Sequence, residues 1–269
     1  KLLYIVDGYT TTSRYPYAQS VDHSDLPSRS DLDASFNYVR NSVKAVVDAY
    51  DGTVTFYVTD AKDPILKAYR AAFPKLFTDI SKVPDDLRAH FRYPEDLFRI
   101  QTNMWGRYHI TDPDDFYNKV DAWSVAKDPG TAGVEAQSQT TDQAGNVIST
   151  STKRMEPYYL LMRLPGDEKE TFLILRPFVP FSTNDSRQEL TAFMVAKSDP
   201  DDYGKLETFV MPRGDLPAGP VIAAAAMGAA IEIFSGAKTI EVTRRRFVPV
   251  KTTNDLLVLR SDVYDLGED

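Results

Sequence analysis

The chain has 269 residues, and its 31 Lys and Arg against 39 Asp and Glu give a formal charge of −8 and an isoelectric point near 5.0. Such an acidic chain is a poor general binder of nucleic acid or of an anionic membrane. It has no cysteine and only three histidines, His23, His90 and His109. This composition excludes disulfides and cysteine chemistry, and it argues against a histidine-rich metal site.

The first half of the chain mixes strand and helix signals. Residues 2–6 form a short apolar run before Asp7-Gly8, which predicts a strand and then a turn. Residues 36–49 place apolar side chains at helical spacing and predict a helix, whereas residues 53–58 alternate as a half-buried strand does. Further helices are predicted to begin at Asp63-Pro64, Pro84-Asp85, Pro94-Glu95 and Asp112-Pro113.

The second half is dominated by strand signals. Residues 128–153 lack aromatic side chains and are rich in Gly, Ser, Thr and Gln, which predicts a long surface loop or a mobile hairpin. Aromatic and β-branched runs separated by Pro, Gly and Asp then predict an antiparallel meander at 158–164, 171–178, 190–197 and 206–211. Helices followed by strands favour an α+β fold, with N-terminal helices packed on a mostly antiparallel sheet.

The composition changes again at Pro220, which predicts one domain at 1–219 and a tail of different character at 220–269. An alanine-rich helix and then a basic stretch at 243–251 follow this boundary. The apolar stretch at 220–234 contains Glu232 and is shorter than the roughly 20 residues that a bilayer requires. No transmembrane helix and no signal peptide are therefore expected within the chain, whose opening KLLYIVDGYT is typical of an interior strand.

Two groups of residues are candidates for metal binding or catalysis. The aspartates at 112–115 and 199–202 could offer oxygens to calcium, but neither segment has the glycine and final glutamate of a calcium loop, and helix capping or turns explain both. His109 and Asp112 could form an acid–base pair, although no GxSxG or HExxH pattern accompanies them. No catalytic residue and no metal site are predicted.

Aromatic side chains are abundant, with 15 tyrosines and 14 phenylalanines. Exposed rings could form a surface that binds carbohydrate or peptide, but such residues more often fill the core between sheets and helices. The candidates for a binding surface are Tyr15, Tyr17, Tyr158 and Tyr159.

Long segments carry a resemblance to a known family. They include YIVDGYTTTSRYPYAQS at 4–20, HFRYPEDLFRIQTNMWGRYHITDPDDFYN at 90–118 and EPYYLLMRLPGDEKETFLILRPFVPFS at 156–182. Residues 1–219 resemble uncharacterised protein family 0182, a bacterial family of large membrane proteins. The resemblance implies transmembrane helices outside this chain, and an extracytoplasmic region to which residues 1–219 belong. It implies no reaction and no site residues.

The tail carries a different resemblance. The segment at 227–266, and above all RFVPVKTTNDLL at 246–257, is similar to the C-terminal part of the catalytic domain of eukaryotic-type UTP–glucose-1-phosphate uridylyltransferases. By this resemblance Lys251 would contact the phosphates, Mg²⁺ would be the cofactor and the protein would be cytoplasmic. No glycine-rich nucleotide loop precedes the motif.

The resemblance of residues 1–219 implies a soluble extracytoplasmic domain of a bacterial membrane protein of unknown function, and a module that binds a ligand or a partner is the role expected of it. No cofactor and no nucleic acid are expected, and attachment to the cell membrane is expected through segments outside this chain. The alternative is a nucleotidyltransferase that moves UMP to glucose 1-phosphate, for which Lys251 is the sole phosphate-binding candidate.

Overall fold

The computed structural model describes residues 1–212 except 22–25, 28–29, 31, 33–34, 131–134 and 142–146, and then residues 214 and 216–224. The side chains of 138–141 and 147–149 are likewise not described. The chain divides into two units, Lys1–Ala226 and Met227–Asp269, and the second lies outside the described residues. Lys251, the segment resembling a uridylyltransferase and most of the predicted tail at 220–269 therefore also lie outside them.

The chain opens with a four-stranded sheet in the order β1-β2-β3-β4. Neighbouring strands are antiparallel except for β3 and β4, which are parallel. The register of β1 against β2 shifts between Gly8 and Tyr9, so Asp7-Gly8 lies within a strand and next to a bulge, where a turn was predicted. The strands are Leu3–Thr12 (β1), Tyr38–Asp48 (β2), Val54–Val58 (β3) and Phe77–Asp79 (β4).

The helix predicted at 36–49 is wrong, because this segment forms β2. Ser42, Val43 and Lys44 are consecutive and all buried, so the strand has both faces covered and lacks the alternation that reveals a half-buried strand. The expected order of helices first and strands second is therefore also corrected. The fold is mixed, with strands at its start and few helices.

The other four helix starts predicted before residue 219 are confirmed, whereas most of the alanine-rich helix predicted after Pro220 lies outside the described residues. Asp63 and Asp112 cap their helices with their side chains, and each is followed by proline in the first turn, where the missing N–H costs no hydrogen bond. A 3₁₀ turn, Ile80–Lys82, precedes the second helix. The helices are Pro64–Ala72 (α1), Asp85–Arg88 (α2), Glu95–Tyr108 (α3) and Pro113–Asn118 (α4).

A second sheet of five antiparallel strands confirms the predicted meander. Strands β11, β10, β9 and β5 are neighbours in that order. Strand β5 pairs with the C-terminal end of β9, and β8 pairs with its N-terminal half. The segment at 128–153 contains a two-stranded hairpin, β6 with β7. The strands are Trp123–Val125 (β5), Gln137–Thr141 (β6), Val147–Thr152 (β7), Tyr158–Met162 (β8), Thr171–Pro180 (β9), Ala192–Lys197 (β10) and Leu206–Val210 (β11).

The segment from α2 into α3 joins the two sheets through apolar contacts. Leu87 and Phe91 pack with Val46 of the first sheet, whereas Tyr93 and Phe98 pack in a cluster with strands β9 and β10 of the second. Burial of these side chains holds α3 against β5 and β9, and two clefts lie beside this contact. Among the described residues, no helix has the length and apolarity needed to cross a bilayer.

Candidate functional site

Two clefts flank the contact between the C-terminal half of α3 and strand β5. Trp123 contributes to the wall of both. We call the larger one the polar cleft; it has a volume of about 920 Å³ and is lined by residues that include Arg99, Asn103, Arg107, Ser124, Arg154 and Glu156. We call the other the aromatic cleft; its volume is about 680 Å³, and residues lining it include Trp105, His109, Asp121, Trp123, Phe181 and Arg187.

One wall of the polar cleft is a network centred on Glu156. Its carboxylate accepts from the buried Arg99 at 3.1 Å and lies 3.0 Å from Lys153, and Arg99 also donates to Glu95 at 2.7 Å. Burial opposes ionisation of Glu156, but Lys153 and Arg99 outweigh it and lower the pKa of this carboxyl. The hydrogen bond to Glu156 raises the pKa of Lys153. These charges therefore neutralise one another.

Arg154 is held in the same way. It donates to the carboxylate of Asp185 at 3.1 Å and to the carbonyl oxygen of Val125, also at 3.1 Å. Its charge is matched by that of Asp185, so Arg154 shapes the cleft more than it attracts anions.

Arg107 differs from these cations. Its Nη2 donates to the carbonyl oxygen of Phe116 at 3.3 Å, and its guanidinium carbon lies 4.4 Å from the centre of the Phe116 ring. Within the described part of the chain it forms no ion pair, and its buried Nε has no acceptor. Arg107 thus gives the cleft a positive charge that no described carboxylate balances.

A buried arginine orients the polar groups beneath the cleft. The side chain of Arg176, on β9, is fully buried, and its Nη1 donates to Thr102 at 3.2 Å and to Oδ1 of Asn103 at 2.9 Å. Its Nε donates to the carbonyl oxygen of Met155 at 2.8 Å. Because Oδ1 of Asn103 faces Arg176, the amide nitrogen of Asn103 points away from it and is oriented as a donor.

The aromatic cleft is built around His109. This ring stacks on Trp123 with centroids 3.5 Å apart, while its Nδ1 lies 2.8 Å from the carbonyl oxygen of Trp105 and its Nε2 3.2 Å from that of Asp121. Lys119 and Asp121 both have a φ near +60°, which is costly for residues with a side chain. Since both ring nitrogens face backbone carbonyls, His109 fixes this loop and is not placed to act as a base.

Comparison with known proteins places the chain in a family. A family model described as "Uncharacterised protein family (UPF0182)" matches residues 1–238. The chain belongs to this family. Similar members occur in Methanospirillum hungatei, 39% identical over 221 residues, and in Microcystis aeruginosa, 41% identical over 220 residues.

Each of these matches covers 82% of the chain but only 22% and 20% of the respective relative. A relative from Geobacter sp. is 41% identical, and the match covers 20% of its length. The chain thus spans about a fifth of the length of the curated relatives it matches. No solved structure matches the chain.

The residues weighed in the sequence are not brought together as a catalytic site. The carboxylate of Asp112 accepts from the backbone N–H groups of Asp114 and Asp115, so it caps α4 and does not pair with His109. The side chain of Asp199 accepts from the N–H of Phe172. In the described ranges no three His, Asp or Glu side chains gather as metal ligands.

The four tyrosines predicted as candidates for a binding surface have different surroundings. Tyr15 stacks on Tyr38, and Tyr17 is exposed. Tyr159 is half-buried and donates to the carbonyl oxygen of Tyr93, just before α3, whereas its neighbour Tyr158 is exposed. Tyr15 and Tyr159 are thus engaged in contacts within the fold.

The sequence interpretation missed the polar cleft. Arg99, Asn103 and Arg107 recur every four residues along α3, and this spacing places three polar donors on one helical face. This spacing is visible in the sequence. The contribution of Arg176 is not visible there, because Arg176 reaches α3 from a strand more than 70 residues further along the chain.

Proposed function

We propose that this chain is an extracytoplasmic, ligand-binding domain of a membrane protein, and that the polar cleft binds a small anion bearing a carboxylate or a phosphate. The observation that carries the proposal is Arg107, a cation in the cleft wall that no described carboxylate pairs. Guanidinium groups are suited to both kinds of oxyanion because they donate several hydrogen bonds in a fixed geometry.

The lining of the cleft supports the same ligand class. Its remaining groups include Gln19, Ser20, Ser124 and Ser151, which offer neutral donors and acceptors beside the charge of Arg107. A volume of about 920 Å³ accommodates a small metabolite. Glu156 and Arg176 are held by ion pairs and hydrogen bonds within the protein, which reduces the cost of ordering the site on binding.

Ligand binding is tested with the full chain and a set of defined anions: inorganic phosphate, glucose 1-phosphate, citrate and glucuronate. We expect a subset to bind in calorimetric titration, and Arg107→Gln to weaken that binding by about tenfold or more. Arg163→Gln removes an exposed arginine elsewhere and should leave the affinity unchanged. No binding by any of these anions, or equal binding by both variants, would overturn the proposal.

The extracytoplasmic location is tested in the full-length protein. This chain has no cysteine, so Tyr117→Cys introduces one thiol into it at a highly exposed position, and any cysteines elsewhere in the full-length protein are replaced beforehand. We expect a membrane-impermeant maleimide to label this thiol in intact cells, with the unsubstituted protein as control. Labelling only after the cells are made permeable would place the domain in the cytoplasm and overturn this part of the proposal.

The uridylyltransferase alternative is tested separately, since its motif lies outside the described residues. No glycine-rich loop that would hold the nucleotide precedes this motif, so we expect no UDP-glucose from UTP, glucose 1-phosphate and Mg²⁺. Turnover that is lost in Lys251→Ala would instead establish the enzyme.

A further inference from the structure

Helix α1 presents an apolar surface that nothing in the described part of the chain covers. We call it the α1 face; it is formed by Pro64, Ile65, Ala68, Tyr69, Ala72 and Phe73. Tyr69 and Phe73 are each 53% exposed, and Leu66 alone in this helix is buried. The helix therefore contacts its sheet through a narrow stripe and leaves a broader apolar surface open.

The charge around this surface is opposite to that of the whole chain. Residues 61–76 contain four cations and a single acid, Asp63, while the chain as a whole stands at −8. Asp63 is buried and its carboxylate accepts hydrogen bonds from Thr10, Ser42 and Tyr38, so its charge is held inside the fold. The cations are Lys62, Lys67, Arg70 and Lys75.

None of these four cations forms an ion pair among the described residues. The carboxylate of Asp79 is within electrostatic reach of Arg70, and it is occupied by the N–H and hydroxyl of Ser81. The α1 face is thus an apolar surface accompanied by cations that are available to an anionic partner.

We infer that the α1 face docks on an anionic lipid surface. Exposed apolar and aromatic side chains next to Lys and Arg on one short helix are typical of elements that lie in the membrane interface. The rings enter the acyl boundary, while the long basic side chains reach the headgroups. The negative charge of the rest of the chain is repelled by the same surface, so the contact also orients the domain with α1 towards the bilayer.

The inference takes its cellular context from the proposed membrane location, but it is measured on the chain alone. Flotation with vesicles of phosphatidylcholine and about 30 mol% phosphatidylglycerol should recover the full chain, whereas pure phosphatidylcholine vesicles should not. Salt at about 0.5 M should release the protein, because it screens the headgroup charge. Binding of vesicles and binding of small anions in the polar cleft are separate measurements, so either proposal can fail without the other.

Two variants of the α1 face are compared with matched controls. Tyr69→Ser/Phe73→Ser and Lys67→Glu/Lys75→Glu should each reduce vesicle binding about fivefold or more. Two controls should leave vesicle binding unchanged: Tyr50→Ser/Tyr117→Ser, which changes two exposed rings elsewhere, and Arg163→Glu/Lys169→Glu, which changes the net charge by the same amount as the lysine pair. All substituted side chains are exposed, and unfolding curves identify any variant that loses stability.

The basic segment at 243–251 could also attract anionic vesicles, so Arg244→Gln/Arg245→Gln/Arg246→Gln is tested in parallel. The inference is overturned if anionic vesicles do not bind, if binding survives both α1 variants, or if it depends on the arginine segment alone. Self-association of the chain that Tyr69→Ser/Phe73→Ser abolishes, without vesicle binding, would instead assign the α1 face to a protein contact and would equally overturn it.

Discussion

The ammonium group of Lys44 on β2 lies against the carboxylate of Asp7 on β1 and donates to the carbonyl oxygen of Arg92 at 2.9 Å. The Lys44 side chain is 1% exposed and that of Asp7 is 32% exposed. Phe91 and Tyr203 each place a ring within 6 Å of the ammonium. One buried charge thereby joins the first sheet to the segment that leads into α3.

The position of Lys44 predicts a pH dependence of stability. Burial lowers its pKa from the ordinary 10.5, although Asp7 acts in the opposite direction. Between the lowered pKa and 10.5 the unfolded chain binds more protons than the folded chain, so the free energy of unfolding rises with pH across this window.

Lys44→Met removes this titration and nearly preserves the shape of the side chain. The free energy of unfolding of the wild type, relative to Lys44→Met, should therefore increase as pH is raised towards 10.5, by about 1.4 kcal/mol for each unit by which the pKa is lowered. Urea unfolding of both proteins over that range measures the difference. A difference that is constant or falls with pH would contradict the prediction.

Replacing Asp7 and replacing Lys44 should reduce the stability of the fold by different amounts. Asp7→Asn leaves Lys44 buried with a neutral neighbour and should cost about 3 kcal/mol at neutral pH. Lys44→Met leaves a carboxylate that is partly open to water, and it should cost clearly less. Chemical denaturation at pH 7 compares them, and a larger loss for Lys44→Met would show that the ion pair is not the cause.

Gly106 allows α3 to approach β5. A Cβ at this position would lie 2.5 Å from the carbonyl oxygen of Trp123, closer than such atoms come in proteins. Glycine to alanine inside a helix normally stabilises by up to about 1 kcal/mol, but here we expect Gly106→Ala to destabilise by about 2 kcal/mol. Thermal unfolding shows whether stability falls or rises, and Gly106→Ser should lose more stability than Gly106→Ala. A gain in stability would mean that α3 has room to move.

Much of the fold could be predicted because its signals are local. Asp63-Pro64 and Asp112-Pro113 start helices through their own side chains, and the strands after residue 156 are bounded by proline, glycine and aspartate. Strand β2 could not be predicted, since its valines fit helix and strand alike. Its polar residues Ser42 and Lys44 are buried by partners distant in sequence, so no exposed face marks it as a strand.

The polar cleft could be predicted only in part. The four-residue spacing of Arg99, Asn103 and Arg107 is visible in the sequence, but each has a different role. Arg99 is neutralised by Glu95 and Glu156, whereas Arg107 packs on Phe116 and has no described carboxylate partner. Spacing places side chains on a face, and tertiary contacts decide which of them keeps a charge for a ligand.

Asp63 and Asp112 have the same local role and very different surroundings. Both precede proline and cap a helix, but Asp112 is exposed, and within the described part of the chain its carboxylate accepts from two backbone N–H groups only. Asp63 is fully buried and accepts from Thr10 at 2.6 Å, Ser42 at 2.7 Å and Tyr38 at 2.7 Å, as well as from its helix. Burial opposes ionisation of Asp63, but these hydrogen bonds outweigh it and lower its pKa.

The pair therefore separates the effect of the cap from that of the buried network. Asp112→Ala should cost about 1 kcal/mol, the usual contribution of a capping side chain. Asp63→Ala should cost about 3 kcal/mol or more, because three hydroxyl donors on β1 and β2 also lose their acceptor. Since the folded-state pKa of Asp63 is lowered, its contribution is present above 3.8 and is lost as pH falls through the folded value. Urea unfolding of both variants at neutral pH measures the two costs, and losses equal within about 0.5 kcal/mol would show that the hydroxyl network adds nothing to the cap.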